Sequence, residues 1–160
     1  MNATPEELDK LNDLLGDFRF AMVTTRAADG KLTAHPLTVQ EREFDGDLWF
    51  VINRHASTVE HIQRDPAVGI AFSSSDSWLS IAGHGRVVDD RAKLQELWNP
   101  SLEAWFPEGP DDHDITLLKV EAESAEYWDS PGGKVASLVA FVKQKVTGER
   151  IEGENEDFTL

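Results

Sequence analysis

Apolar and polar positions alternate with the period of an α-helix over the first 16 residues. Leucines recur at spacings of three, three and one residues, at Leu8, Leu11, Leu14 and Leu15. Thr4 precedes them, Pro5 takes the first helical position, and Glu7 completes a capping box with Thr4. The pattern predicts a helix that buries its leucine face and ends at Gly16.

Strand-like patterns dominate the next part of the chain. Asp29-Gly30 and Asp45-Gly46 are tight-turn signals between apolar runs, and they indicate antiparallel hairpins. Pro36 has no amide hydrogen, so it predicts an edge, a bulge or a ligand-facing gap in its strand. The predicted strands are "FAMVTT", "LTAHPLTVQEREF", "LWFVIN", "AVGIAFSS", "WLSIAGHGRVV" and "ITLLKVEAESAEYW".

Helical patterns are short and lie between or after the strands. One runs from about Thr58 to Arg64, a second is "RAKLQELW" with Asp90 as its cap, and a third is the amphipathic "KVASLVAFVKQKV". About six hairpin-connected strands with helices at intervals predict a mainly β fold, a six-stranded antiparallel barrel with peripheral helices. We expect one domain over residues 1–148 and an acidic tail over residues 149–160.

The charge of the chain argues against several classes of partner. Its 30 acidic and 15 basic residues give a formal net charge of −15 at pH 7. Such a surface repels phosphate backbones and anionic membranes, so neither nucleic acid nor a membrane is an expected partner.

The N-terminus lacks the order of a signal peptide, and no apolar run reaches the roughly 20 residues that cross a bilayer. These features favour a cytoplasmic protein. Without cysteine, there is no thiol nucleophile or thiolate metal ligand.

Familiar motifs for metal, serine or dinucleotide chemistry are missing from the sequence. The five histidines are scattered and form no His-x-x-x-His pair. "SSSDSW" lacks the Gly-x-Ser-x-Gly turn of a nucleophile, and "GHGRVV" lacks the third glycine of a dinucleotide fingerprint. We therefore predict neither a metal site nor a catalytic acid, base or nucleophile.

Five tryptophans are a high number for 160 residues. Large aromatic side chains most often fill cores, but planar cofactors and dimer interfaces also use them. The tryptophans are Trp49, Trp78, Trp98, Trp105 and Trp128.

The stretch "NRHASTVEHIQRDP" passes from a strand into a helix and allows two interpretations. In the first, Ser57 and Glu60 form a capping box that only stabilises the helix, by about 1 kcal/mol. In the second, the free amides of the helix start hold an anion, with Arg54, Ser57 and Thr58 as further donors. The chemistry of the residues alone favours the cap, because Glu60 opposes a bound anion.

Four segments of the chain resemble a known family. They are "AHPLTV", "LWFVINRHASTVEHIQRDPAV", "VVDDRAKLQELWNPSLEAWFPEGPDD" and "LLKVEAESAEYWDS". The chain resembles the FMN-binding split-barrel proteins, in the general stress protein 26-like branch of the pyridoxamine 5′-phosphate oxidase superfamily. The resemblance implies a six-stranded antiparallel split β-barrel that forms a homodimer, with FMN in a groove between the subunits.

The resemblance also implies which residues contact the cofactor. Beside the isoalloxazine ring it places Ala34, His35, Pro36 and Leu37. Along the ribityl chain it places Val51, Ile52 and Asn53. At the phosphate it places His55, Ser57 and Thr58, with Arg54 as a further cation. The aromatic "EYW" adds Trp128 to this set.

The chain departs from the family pattern where a charge is expected. Ala56 and Thr58 stand where the phosphate turn usually has a serine and then a lysine. His35, mostly neutral near pH 7, replaces a frequent arginine. A charged hydrogen bond is roughly twice as strong as a neutral one, so we expect weakened or altered flavin binding. The Arg-x-His pair of the true oxidase is missing from "DSPGGKVASL", which argues against vitamin B6 oxidation.

Two classes of function follow from the resemblance. The first is a flavin-dependent oxidoreductase of the general stress type, whose cofactor carries the hydride or electrons. The alternative is a non-enzymatic dimeric binding or sensing module in which FMN binding is weakened or lost. A deazaflavin or a haem in the same groove is a minor alternative to FMN.

Overall fold

An antiparallel β-sheet forms the centre of the protein. The computed structural model describes residues 4–40, 43–129 and 155–159. The strands are β1 (Phe20–Arg26), β2 (Leu32–Thr38), β3 (Asp47–Asn53), β4 (Ala67–Ser73), β5 (Ser77–Val88), β6 (Ile115–Asp129) and β7 (Asn155–Thr159). The helices are α1 (Pro5–Leu15), α2 (Ser57–Arg64), α3 (Arg91–Leu97) and α4 (Pro100–Glu103).

The six main strands follow the order β2-β1-β4-β5-β6-β3, and every neighbouring pair is antiparallel. The sheet curls, so that β2 and β3 at its two ends approach each other. Pro36 lies in β2, which pairs only with β1 among the described strands. The predicted mainly β, six-stranded antiparallel fold is confirmed, and Pro36 occupies an edge strand as its missing amide requires.

Alternation along the strands directs one set of side chains into the curl. In β1, Ala21, Val23 and Thr25 are buried while Phe20 and Met22 face outward. The inner set forms the main core with the leucines of α1. A second, smaller core lies on the opposite side of β3 and β6, under α3 and α4. This helical cover ends at the gap between β3 and β2, which leaves a groove there.

Local signals fix most of the helices. The side chain of Thr4 accepts a hydrogen bond from the Glu7 amide, and Glu7 returns one to Thr4, as the capping box predicts. Asp90 caps α3 by accepting from the Lys93 amide at 3.0 Å. Within the described residues, no helix is both long and apolar enough to cross a membrane.

The C-terminal part of the chain is described only in part. The predicted helix "KVASLVAFVKQKV" lies outside the described residues. Residues 155–159, which the sequence assigns to an acidic tail, form β7 and pair with residues 124–128 of β6. The domain boundary at residue 148 therefore stays a prediction.

An ion pair between Lys119 and Asp47 ties β6 to β3. The Lys119 ammonium lies 2.7 Å from a carboxylate oxygen of Asp47, and both side chains are largely shielded from solvent. The hydrogen bond that Lys119 donates to Asp47 raises the pKa of Lys119 above its ordinary value, although burial acts in the opposite direction.

We expect Lys119→Met to lower the free energy of unfolding at neutral pH by about 1 kcal/mol. Because the folded pKa of Lys119 is the higher one, the stabilisation is complete below its unfolded pKa of about 10.4. It is lost as the pH rises through the folded pKa. Denaturation of both proteins at increasing alkaline pH should show the difference between them shrinking. Lys31→Met, at a largely exposed position, is the control and should change nothing measurable. A difference that does not vary with pH would contradict the pairing.

Candidate functional site

An apolar groove crosses the gap between β2 and β3. Pro36 and Leu37 of β2 and Val51 of β3 line it, and the cavity measures about 300 Å³. Trp105 and Phe106, which follow α4, form the other wall, and Phe20 of β1 closes one side. The groove thus unites segments that are far apart in the chain, and its walls are suited to a flat apolar ring.

Three aromatic residues of this groove were missed by the reasoning from sequence. Trp105 is 62% exposed and Phe20 is 48% exposed, and their rings meet edge to face with centroids 6.5 Å apart. The "AWF" sequence after α4 is the signal for Trp105 and Phe106, but their meeting with β2 depends on the curl of the sheet. An exposed aromatic wall of this kind is typical of a binding surface.

The start of α2 lies just beyond the end of β3, on the side of Asn53. The helix begins at Ser57 with Ala56 as its N-cap, and no side chain caps it. The predicted capping box of Ser57 and Glu60 is therefore wrong, because Ser57 already has helical geometry. Glu60 instead accepts a hydrogen bond at 2.9 Å from Arg64, one turn further along. The helix start keeps its amide dipoles available for an anion.

Polar side chains connect α2 to the β1–β2 hairpin. Thr58 Oγ1 lies 3.2 Å from His35 Nδ1, and both groups are shielded by the surrounding fold. One turn later, His61 Nδ1 lies 3.0 Å from Thr25 Oγ1 and 3.4 Å from Thr33 Oγ1. The hydroxyl of Thr58 and Nδ1 of His35 are therefore hydrogen-bond partners, so both atoms are already engaged within the protein.

The side chain of Arg54 makes an ion pair and hydrogen bonds within the protein. Its guanidinium lies 3.1 Å from Asp89 and donates a further bond to the carbonyl of His113 at 3.2 Å. The hydrogen bonds from Arg54 hold the pKa of the Asp89 carboxyl below its ordinary value. The carboxylate of Asp89 thus balances the positive charge of Arg54 next to the candidate phosphate site at the start of α2.

His55 is paired in a similar way. Its Nε2 lies 3.3 Å from a carboxylate oxygen of Asp114, and its amide donates to the Asn53 side chain at 2.8 Å. Among the described residues, no cluster of three or more His, Asp or Glu side chains could hold a metal ion. The turn between β3 and α2 is well organised but carries little net positive charge.

The structure brings most of the predicted site residues to one side of the molecule, with three exceptions. Ile52 points into the main core and Ala34 faces outward from β2. Trp128 lies on β6, four strands from β2 along the sheet, in the part of β6 that pairs with β5 and β7 and not with β3.

The outer face of the sheet carries few charges. We define this face by two cross-strand rows over β2, β1, β4, β5 and β6. The rows are Pro36–Met22–Ala71–Ser80–Glu126 and Ala34–Thr24–Gly69–Ala82–Ser124. Glu126 is the one charged member, although 28% of the chain is charged. The exposed pair Trp78 and Trp128 lies next to these rows. A face with so few charges in so acidic a protein is suited to contact with another surface.

Comparison with known proteins assigns the class of protein that this fold and groove define. The pyridoxamine 5′-phosphate oxidase-like family matches residues 6–152, and the chain belongs to this family. Protein bli-3 of Neurospora crassa is 26% identical to this chain over 156 residues, which are 90% of this chain and 75% of that protein.

Two solved structures are similar to this chain, one at 30% identity and one in fold alone. The general stress FMN/FAD binding protein from Xanthomonas citri is 30% identical, with a TM-score of 0.68 over 80% of this chain and 92% of that one. A protein from Clostridium acetobutylicum, related to general stress protein 26 of Bacillus subtilis, has a TM-score of 0.73 at 20% identity. It covers 99% of this chain and 97% of its own, and it supports the fold alone. The predicted split-barrel fold and the resemblance to general stress protein 26 are confirmed.

Proposed function

We propose that this protein binds a flavin, FMN in the first place, and that the bound flavin serves redox chemistry. The observation that carries the proposal is the apolar groove with Pro36, Leu37 and Val51, which leads toward the uncapped start of α2. Such a groove fits a planar ring at one end and a phosphate at the other. The general stress protein from Xanthomonas citri, named as FMN/FAD binding, supports the same ligand class.

Different residues of this chain would contact different parts of the cofactor. Pro36, Leu37 and Val51 would contact the ring, with Trp105 as an aromatic wall. The amides at Ser57 and Thr58 would face the phosphate, where the helix dipole favours negative charge. When bound, a flavin supplies hydride or electron transfer, and the protein supplies orientation and exclusion of water.

We further propose that two copies of the chain associate through the outer face of the sheet. The groove volume of about 300 Å³ is at the lower limit for a small-molecule site, so one chain encloses only part of a flavin. Pro36 belongs both to the groove and to the outer face, which places the groove at the edge of this interface. A twofold axis parallel to the strands would bring the partner's Trp128 to the β2 edge, and so to the ring.

A second candidate function is a binding or sensing module with a weak grip on the phosphate. Arg54 is paired with Asp89, His55 with Asp114, and Thr58 with His35, as described above. Each of these pairs must be broken, or shared, before its donor can serve a phosphate. This cost falls on FMN and not on riboflavin, which has no phosphate.

Titration of the purified protein with FMN and with riboflavin tests both candidates. We expect both to bind, to give an absorption band near about 450 nm, and to differ in affinity by less than about tenfold. Free, charge-assisted phosphate contacts would instead favour FMN by several tens-fold, since each is worth about 1.5–3 kcal/mol. Failure of both flavins to bind would refute the proposed function. FMN binding more than about a hundredfold tighter than riboflavin would refute only the weak phosphate grip.

A further inference from the structure

A second cavity of about 310 Å³ adjoins the apolar groove. The two share Phe20, Thr38 and Trp105 as walls. The second cavity opens at the end of β2 near Gln40, whereas α2 meets β2 near His35. A ring seated in the groove with its tail toward α2 would therefore leave this cavity free, beyond the far edge of the ring.

Arg19 is the charged group among the described residues of this cavity, whose described wall contains no aspartate or glutamate. Within the described part of the chain, the side chain of Arg19 makes neither an ion pair nor a hydrogen bond, and its guanidinium lies 6.0 Å from the Phe20 ring. The other arginines that the structure describes differ. Arg26, Arg54, Arg64 and Arg86 each have a carboxylate within 4.0 Å, and Arg91 donates to two carbonyls. In a chain with a charge of −15, an arginine left unpaired beside a cavity is available to an anion from outside.

Two polar side chains of the wall, Gln40 and Asn12, are hydrogen-bonded within the protein. Gln40 donates to the Thr38 carbonyl at 3.2 Å and accepts from Asn99 at 3.1 Å. Asn12 bonds both the carbonyl and the amide of Phe44. Both residues therefore serve to hold the wall in place. The apolar part of the wall is formed by Leu15, Phe18, Phe20, Val39 and Trp105.

We propose that this cavity binds a small organic acid, with Arg19 pairing its carboxylate and the aromatic residues covering its apolar body. The guanidinium presents two parallel N–H groups that match a carboxylate, which favours this planar anion. A single cation without a cluster of backbone amides is a poor seat for a phosphate dianion. Benzoate is the appropriate probe, because it combines a carboxylate with an apolar aromatic ring. The site requires no flavin, so it is tested separately from the proposed function.

The experiment is a titration of the full chain with benzoate, followed by NMR at the indole N–H of Trp105. A spectrum of Trp105→Phe assigns that signal. We expect benzoate to shift it with a millimolar dissociation constant, and Arg19→Gln to raise that constant by at least about tenfold. Arg86→Gln removes the same charge from β5, where Arg86 pairs with Glu121, and should leave the constant unchanged.

Two further ligands distinguish the charge from the apolar body. Benzamide has the same ring without the charge, and it should bind wild type and Arg19→Gln equally weakly. Inorganic phosphate should not compete with benzoate at equal concentration. The proposal is overturned if benzoate leaves the Trp105 signal unmoved at millimolar concentration, or if benzamide or phosphate binds as well as benzoate. Unchanged benzoate affinity in Arg19→Gln would overturn it equally. Flavin titration of the same samples reports independently on the groove.

Discussion

Ala71→Glu is expected to separate the proposed dimer into monomers. Ala71 lies in β4, the middle strand of the outer face, between Met22 and Ser80. In a twofold dimer, the substitution would bury two carboxylates among small neutral residues. An uncompensated buried charge costs about 3–5 kcal/mol, so the dissociation constant of the dimer should rise by at least about a hundredfold. Sedimentation analysis over a range of protein concentrations measures the change. Flavin affinity should fall with it, because the groove loses the wall that the second copy provides.

The matched control is Ala92→Glu, which adds the same charge at an exposed position of α3. It should leave the dimer intact. Ala71 is exposed in a single chain, so its glutamate variant should keep its fold, and circular dichroism checks this. A monomeric wild-type protein, or an Ala71→Glu protein as dimeric as Ala92→Glu, would show that the outer face is not the interface.

Gly83→Ala is expected to lower the free energy of unfolding by about 3 kcal/mol. The register between β5 and β6 shifts between Ala82 and Gly83, and the two backbones approach closely there. A Cβ atom at Gly83 would lie 2.3 Å from the carbonyl oxygen of Glu121 and 3.1 Å from the Cα of Ala122. Because these are backbone atoms, the strands themselves must move apart. Chemical denaturation of both proteins at the same protein concentration measures the loss.

Gly16→Ala is the control for this second substitution. Gly16 ends α1 with ordinary right-handed helical angles, and a Cβ there would lie 3.5 Å from its nearest neighbour, the carbonyl oxygen of Asp13. Its effect on unfolding should stay within about 0.5 kcal/mol. A loss below about 1 kcal/mol for Gly83→Ala would mean that the close approach of β5 and β6 is easily relaxed. The curl that brings β3 to β2 would then depend on other contacts.

Much of the fold could be predicted from the sequence, because its signals are local. The leucine spacing and the Thr4–Glu7 box specify α1, and the turn at Gly30 specifies the β1–β2 hairpin. The hairpin predicted at Asp45-Gly46 is wrong, because the turn at Gly46 leads into β3, which pairs with β6 and not with β2. Both glycines have positive φ angles, which other residues rarely adopt. The prediction failed at Ser57, where the motif was correct but the helix starts one residue too early for it. A capping box depends on the backbone angle of its first residue, and the sequence does not show that angle.

The candidate site could be predicted only in outline. Segments 34–37 and 51–58 were located, and the structure brings both to the groove and the start of α2. Reasoning from the sequence missed Trp105, Phe20 and Arg19, because each lines a cavity together with residues that lie far away along the chain. The separation of Trp128 from the other site residues also follows from strand order, which hairpin signals alone leave open.

The sequence by itself determined the helix and hairpin signals, the acidic charge and the family, since these rest on neighbouring residues or on composition. Only the tertiary structure decided which arginine side chains stay unpaired and thus available to an anionic ligand. Arg54 is neutralised by Asp89, 35 residues away, whereas Arg19 meets no carboxylate within the described residues. The reason is that Coulomb attraction depends on distance in space, and the curl of the sheet sets that distance.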